Sequence, residues 1–238
     1  MSKSTDLPEW ELVLSAAARL QNILPEAVLV GGTASAIHAG HRFSRHADHV
    51  LTDLRLRFDA VLAELESVAG WKTARVQRPV QILGSLDGIE TGVRQLIRDV
   101  PLETMILDYR GERLTVPTEG EILRIKGVLI LKRNATRDYL DFVALAHHMG
   151  DQKVAYALLS FDKLYHQDNG ESPLQQLQAQ LANAVPYDLD DVLPELPEYK
   201  NLAPQWHQWN VVKAACAHVS TVIFDGVCDL EEDSQAPP

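Results

Sequence analysis

The sequence predicts an α/β (α+β) protein, in which a mixed sheet flanked by helices is followed by a helical C-terminal domain. A short apolar run over 27–30 ends at a glycine pair and leads into a helix-compatible stretch. Asp87-Gly88, a dipeptide favoured in two-residue hairpin turns, separates two apolar runs. Helical spacing dominates after residue 117. We therefore expect an α/β domain over 1–115, a helical domain over 116–228 and a disordered acidic tail over 229–238.

Hydrophobic spacing and turn residues place the elements of the first domain. Helices are predicted over 8–23, 33–39 and 58–68. Strands are predicted over 27–30, 46–54, 72–76, 80–86, 89–97 and 103–108, and the last of them ends at a turn over 109–112.

The second domain begins with a helix start signal. Pro117 precedes a capping box formed by Thr118 and Glu121, which predicts a long helix from there to about residue 131. Asn134 is predicted to cap the helix that follows. Further helices are predicted over 135–149, 152–165 and 206–224, and a proline-rich acidic loop over 187–204.

Composition excludes several classes of protein. The chain has 238 residues, of which 46% are hydrophobic and 23% charged, as in ordinary globular proteins. No apolar run approaches the ~18 residues of a membrane helix, and the acidic start does not resemble a secretory signal, so we expect no membrane partner and a cytoplasmic location. Cys216 and Cys228 are too few for a disulfide framework or a thiolate zinc site, and we expect both to be buried.

The net charge of −11 is unevenly distributed. It amounts to −2 over 1–115, +1 over 116–148 and −10 over 149–238. Residues 42–137 carry 16 basic and 13 acidic side chains, so a phosphate-bearing ligand is expected there and not at the acidic end. The excess of acidic residues over 149–238 is explained by a solvated acidic surface.

Three motifs could carry chemistry. The first is Gly31-Gly32-Thr33, where a glycine pair before a helix lets a phosphate approach free N–H groups, although glycines also end strands for purely conformational reasons. It matches neither a P-loop nor a dinucleotide-binding fingerprint.

The second motif is the run from His41 to His49. On an extended strand, Ser44, His46 and Asp48 share one face, which gives that face a carboxylate. A simply solvated strand face is the alternative. His46 and His49 point to opposite faces, which makes them a poor zinc pair.

The third motif spans two predicted helices. Lys126 and Arg133 are seven residues apart and share a helix face, and Arg137 and Asp141 form an i,i+4 pair beside Asp138. Alone, this pattern favours a salt-bridged helix corner.

Taken in order, the motifs resemble nucleotidyltransferase-fold proteins of the AbiEii/AbiGii toxin type. The matching pieces are LVGGTASAIHAGHRFSRHAD at 29–48 and VPTEGEILRIKGVLILKRNATRDYLDFVAL at 116–145. The resemblance implies a nucleotidyltransferase-like mixed sheet that binds a nucleoside triphosphate and divalent metal, Mg²⁺ or Mn²⁺, and transfers the nucleotidyl group to a hydroxyl, often on tRNA. It also implies a toxin–antitoxin role with an antitoxin protein as partner.

The resemblance assigns roles to particular residues. Asp48 and Lys126 would be catalytic, and Asp48 with His46 would bind metal. The nucleotide would be bound by Gly31, Gly32, Thr33, Arg42, Ser44, Lys126, Arg133, Arg137, Asp138 and Asp141. The sequence departs from the family pattern where His46 replaces the first acid of D-x-D and Gln95 stands where a third acid is expected. The alternative is therefore a catalytically degenerate relative that binds nucleotide or a protein partner without turnover.

Overall fold

A computed structural model describes the backbone of residues 9–109 and 111–235 and the side chains of residues 9–109 and 111–226. The chain divides into two compact units. The first runs to Ile37 and resumes over Phe43–Thr118, and the second contains His38–Arg42 and the chain from Glu119 onward. The domain boundary was predicted after residue 115, whereas the units divide after Thr118 and the segment 38–42 joins the second unit, which no local pattern indicated.

The first unit is built on a five-stranded mixed sheet with the order β1-β2-β5-β4-β3. Its strands are β1 (Val28–Leu29), β2 (His46–Leu51), β3 (Trp71–Gln77), β4 (Gln81–Leu86) and β5 (Ile89–Gln95). β2 and β5 run parallel, and the other neighbouring strands are antiparallel. The fold class and the hairpin at Asp87-Gly88 are thus confirmed.

A separate hairpin pairs β6 (Thr104–Tyr109) with β7 (Glu112–Pro117). β6 was predicted from the sequence, whereas β7 was not. Leu114 and Val116 of β7 are buried against the first helix of the unit, so this strand belongs to the core.

Within the described residues of the first unit there are three helices: α1 (Glu9–Ile23), α2 (Gly31–Ala39), whose last residues belong to the second unit, and α3 (Leu54–Glu66). Leu20 of α1 and Phe58 of α3 pack with Leu51 and Val93 of the sheet in one apolar cluster. α1 and α3 therefore cover the sheet face that carries Leu51 and Val93.

The second unit is helical, as predicted. Its helices are α4 (Glu119–Arg133), α5 (Thr136–Met149), α6 (Asp151–Leu158), α7 (Phe161–Leu164), α8 (Pro173–Ala182), α9 (Leu189–Val192) and α10 (Trp209–Gln235), with 3₁₀ turns at Leu193–Asn201 and Pro204–Trp206. The helix predicted over 152–165 is split into α6 and α7, and α8 was not predicted. α10 continues to Gln235 through most of the expected disordered tail, while residues 236–238 lie outside the described residues.

Cys216 is fully buried, as expected, and burial raises the pKa of its thiol to about 12. Cys228 falls beyond the described side chains. No helix within the described ranges combines the length and apolar character needed to cross a membrane.

Candidate functional site

β2 presents two different faces because its side chains alternate. Ala47, His49 and Leu51 are buried, whereas His46 and Asp48 are only partly buried. The residues opposite His46 and Asp48 on the parallel strand β5 are Glu90 and Gly92. The polar face predicted for this strand is therefore present, and it continues onto β5.

Asp48 lies beside the start of α2. The backbone N–H of Val30, just before the glycine pair, donates to the Asp48 carbonyl oxygen at 2.8 Å. Gly31 has a φ of +74°, and a Cβ added there would lie 3.5 Å from Asp48 Oδ2. α2 begins with Gly31 and Gly32, so the free backbone N–H groups of its first turn lie near the Asp48 carboxylate.

Two predicted nucleotide-binding hydroxyls are occupied elsewhere. Thr33 and Ser44 are buried, and both donate to the carbonyl oxygen of His46, Ser44 at 3.3 Å. Ser44 also precedes β2 and is not part of its exposed face. Both side chains thus fix the beginning of β2, and we interpret them as positioning residues.

His46 has a carboxylate partner on the neighbouring strand β5. Its Nδ1 lies 2.8 Å from Glu90 Oε2 across the parallel pair, and both side chains are exposed to solvent, His46 by 43% and Glu90 by 76%. Glu90 therefore shares the face of His46 and Asp48. The parallel register, which is not readable from the sequence, brings it there.

Arg94 is the main functional candidate that the sequence reasoning missed. It lies two residues beyond Gly92 on β5, and its Nη2 is 3.8 Å from Asp48 Oδ1. The Gln81 amide, opposite Arg94 on β4, lies 2.7 Å from Nη1 and 3.1 Å from Nη2, and with its oxygen directed at the guanidinium it accepts hydrogen bonds from both. The alternation of β5 could have suggested this arrangement if the strand's partner had been known.

The expectation that Gln95 marks the position of a third acid is wrong. Gln95 is one residue out of phase with Arg94, and its amide donates to Thr52 O at 2.7 Å and accepts from Arg55 N at 2.8 Å. It fastens the loop after β2. At the neighbouring position that shares a face with Asp48, the strand carries an arginine.

The second unit contains a buried ionic cluster centred on Asp141, whose side chain is inaccessible to solvent. Arg42 donates to it through Nε at 2.7 Å and Nη2 at 2.9 Å. His41 Nε2 lies 2.8 Å from Oδ1, and Lys126 Nζ lies 2.6 Å from Oδ2. Burial opposes ionisation of Asp141, but the charges of Arg42 and Lys126 outweigh it and hold the pKa of that carboxyl well below its usual range.

Asp138 extends the same cluster. Lys126 Nζ lies 3.4 Å from Oδ1 and Arg133 Nε 3.8 Å from Oδ2, in agreement with the shared helix face predicted for the two basic residues. Lys126 and Asp138 are buried, whereas Arg133 and Arg137 are exposed. The interpretation of Arg137 and Asp141 as a surface ion pair is wrong, because the side chain of Asp141 is buried.

The predicted phosphate-binding residues of the second unit thus fall into two groups, the exposed Arg133 and Arg137 and a buried set. Arg42, Lys126, Asp138 and Asp141 satisfy one another's charges inside the unit. Tyr199 interacts electrostatically with this cluster. Burial raises the pKa of its phenol, and the positive charge of Arg42 opposes that rise. The backbone N–H of Ala203 donates to the carbonyl oxygen of His41 at 2.7 Å. The cluster therefore ties 38–42 to α4, α5 and the 3₁₀ segment.

The residues around Asp48 do not fit a two-metal centre. Such a centre needs several carboxylate oxygens around two hard cations. Within the described residues, no three His, Cys, Asp or Glu side chains are gathered as a metal site. Among the described residues, the cationic side chain paired with Asp48 is that of Arg94, and the imidazole of His46 is a poor ligand for Mg²⁺. The expected Mg²⁺ or Mn²⁺ stays a prediction.

Comparison with known proteins shows the fold. The chain is similar to the crystal structure of a candidate nucleotidyltransferase from H. pylori, with a TM-score of 0.53 and 16% sequence identity. The similarity covers 97% of this chain and 99% of that one. At this level of identity it establishes a nucleotidyltransferase-like fold, and no more. No family model matches the sequence.

Curated relatives are much longer proteins. The heme uptake protein MmpL11 of Mycobacterium tuberculosis H37Rv is 29% identical over 241 residues, which cover 90% of this chain and 23% of that protein. The mycolic acid-containing lipids exporter MmpL11 of Mycolicibacterium smegmatis is 31% identical over 128 residues, 52% of this chain and 13% of that protein. The chain therefore spans less than a quarter of the curated relatives it matches.

Proposed function

We propose that this chain binds a nucleoside triphosphate at the exposed sheet face of β2 and β5 and transfers its nucleotidyl group to a hydroxyl acceptor. The observation that carries the proposal is the position of Asp48 beside the Gly31-Gly32 start of α2, within a nucleotidyltransferase-like fold. A helix start supplies N–H donors and a positive dipole end for phosphate oxygens, while a neighbouring carboxylate can act on the acceptor.

The transfer assigns a task to each group on this face. First-turn N–H groups of α2 and the Arg94 guanidinium would neutralise phosphate charge. The acceptor oxygen attacks the α-phosphorus, and the bond from that phosphorus to the pyrophosphate oxygen breaks. Asp48 takes the proton of the acceptor hydroxyl as the new O–P bond forms. Thr33 and Ser44 act indirectly, because they fix the start of β2.

The second candidate function is nucleotide or protein binding without turnover. It is favoured by His46 in the position of the first acid and by Arg94 next to Asp48. The first removes a carboxylate that the family pattern expects, and the second adds a positive charge beside Asp48. The phosphate-binding start of α2 is independent of them, so the two candidates share nucleotide binding and differ in catalysis.

The finer parts of the proposal come from the resemblance to AbiEii/AbiGii-type toxins. We propose a tRNA hydroxyl as the acceptor to test first and an antitoxin protein as the partner to test first, in a cytoplasmic setting. The matched parts of the MmpL11 proteins are too small a share of them for transport or heme uptake to be assigned to this chain.

The decisive experiment measures binding and turnover on the same protein. Calorimetry with ATP, GTP, CTP and UTP reports binding, and pyrophosphate release with a tRNA pool as acceptor reports transfer. Asp48→Asn is expected to reduce pyrophosphate release by roughly 100-fold or more, the usual contribution of a general base, with less effect on affinity. Asp59→Asn is the matched control, since Asp59 is an exposed carboxylate paired with Arg78 on the surface. Binding without pyrophosphate release in the wild type would favour the second candidate.

A further inference from the structure

A positively charged side chain, that of Arg94, lies next to Asp48. Arg94 Nη2 lies 3.8 Å from Asp48 Oδ1, and the two side chains are 48% and 40% exposed. The pair is thus accessible to a ligand, and its separation exceeds that of a direct hydrogen bond. A phosphate oxygen can therefore approach the guanidinium while Asp48 stays beside it.

Gln81 holds the guanidinium in place. With its amide oxygen directed at the guanidinium, Gln81 accepts from both terminal nitrogens of Arg94, at 2.7 and 3.1 Å, across the antiparallel β4–β5 pair. An arginine has five N–H donors, so two bonds to Gln81 leave others for a ligand. An arginine fixed by a neighbouring amide is better prepared to bind phosphate than a mobile one.

Glycines lie on both sides of Asp48. Gly92, directly opposite Asp48, is required by the close approach of β4, because a Cβ there would collide with the Ile82 carbonyl oxygen. A Cβ at Gly31 would lie 3.5 Å from Asp48 Oδ2, so the glycine keeps the carboxylate free of that contact. A divalent cation bound to Asp48 would lie close to the positively charged Arg94, and like charges at such distances repel strongly in a partly desolvated site.

We infer that Arg94, positioned by Gln81, takes the role of a metal ion at this face, so that the chain binds the phosphates of a nucleoside triphosphate without a divalent cation. This inference rests on the proposed nucleotide binding. It adds that the site prefers a triphosphate that carries no divalent cation. Arg94 would contact the phosphate oxygens, and Gln81 would act through Arg94.

Calorimetry with ATP in EDTA, and then with Mg²⁺ or Mn²⁺, tests the inference on the full chain. We expect the affinity in EDTA to equal or exceed that with metal. Arg94→Gln should weaken binding in EDTA by roughly tenfold or more, the loss expected for a charge-assisted phosphate contact. Gln81→Leu should weaken it less, because it leaves the charge. Arg75→Gln, on the exposed edge strand β3, is the control and should have no effect.

A second readout does not depend on nucleotide. Mn²⁺ titration followed by electron paramagnetic resonance should show weak binding to the wild type and binding stronger by about tenfold in Arg94→Asp, which exchanges a cation for a carboxylate ligand. Thermal unfolding of each variant verifies the fold, and Arg94→Met, which also removes the charge, replaces Arg94→Gln if that variant is unfolded.

The outcomes separate the two levels of the proposal. ATP binding that requires metal and is unchanged in Arg94→Gln overturns the role of Arg94 while leaving nucleotide binding intact. Tight Mn²⁺ binding by the wild type does the same. Absence of any triphosphate binding, with and without metal, overturns the proposed function itself and the inference with it.

Discussion

Arg42 and Asp141 form a two-contact ion pair inside the second unit, with Nε and Nη2 of the arginine 2.7 and 2.9 Å from the two carboxylate oxygens. The residues are 99 positions apart in the sequence, and neither is accessible to more than a few per cent. This pair fastens the segment 38–42 to α5. Loss of either partner is expected to lower the free energy of unfolding, because a buried charge without a partner is energetically costly.

The first prediction concerns stability. Asp141→Asn leaves Arg42 and Lys126 with too little negative charge, and we expect the free energy of unfolding to fall by about 3–5 kcal/mol, as for other broken buried pairs. Urea denaturation followed by circular dichroism measures it. Arg45→Ala, which removes an exposed pair with Glu9, should cost less than about 1 kcal/mol. Equal losses in the two variants would contradict the structural role of Asp141.

The second prediction concerns pH and His49. This side chain is fully buried on the core face of β2, where burial lowers the pKa of its imidazole from 6.5 to about 4. Below pH 6.5 the unfolded chain binds a proton that the folded chain does not, so stability is complete above that pH and declines as the pH falls toward 4. The expected loss between pH 7 and pH 5 is about 2 kcal/mol.

The test compares wild type with His49→Gln, which keeps a polar side chain but does not titrate. The other histidines and carboxylates are common to both proteins, so the difference in their pH dependence isolates His49. Urea denaturation at pH 7 and pH 5 provides the measurement. An unchanged slope in His49→Gln would show that His49 is not held neutral.

The third prediction separates strain from function at a glycine. Gly31 and Gly88 both have a positive φ, of +74° and +85°, so alanine at either position should cost about 1–2 kcal/mol. Only at Gly31 would the new Cβ contact Asp48, while at Gly88 no atom lies within 4 Å. We expect Gly31→Ala to weaken nucleotide binding and Gly88→Ala to leave it unchanged. Calorimetry with ATP decides, and a parallel loss in both variants would indicate a general effect of strain.

The fourth prediction concerns Thr33. Its hydroxyl donates to the His46 carbonyl oxygen from a buried position, so Thr33→Val leaves that oxygen without this partner. A loss of about 1–3 kcal/mol is expected, as for other unsatisfied buried groups. Thermal unfolding measures it. Ser35→Ala is the comparison, because Ser35 only bonds back to Gly31 within its own helix, and it should cost less. A stable Thr33→Val with lost nucleotide binding would instead indicate direct contact with ligand.

Local features of the sequence predicted most elements correctly. The dipeptide Asp87-Gly88 identified the hairpin because both turn residues need positive φ, and they have it at +53° and +85°. The capping box at Thr118 and Glu121 identified the start of α4. β7 was missed since its position follows from pairing with β6, which depends on the fold around it. The same is true of α8, whose leucines pack against distant helices.

The sequence by itself determined the identity of each strand face, because side chains alternate along any extended backbone. It therefore placed His46 and Asp48 together and separated them from His49. Only the tertiary structure decided which residues stand opposite them. The parallel register of β2 and β5 brings Glu90 and Arg94 to that face and turns Gln95 away, and burial converts Lys126, Asp138 and Asp141 from candidate ligands into mutual partners. Both depend on contacts between residues far apart in the chain, which no local pattern encodes.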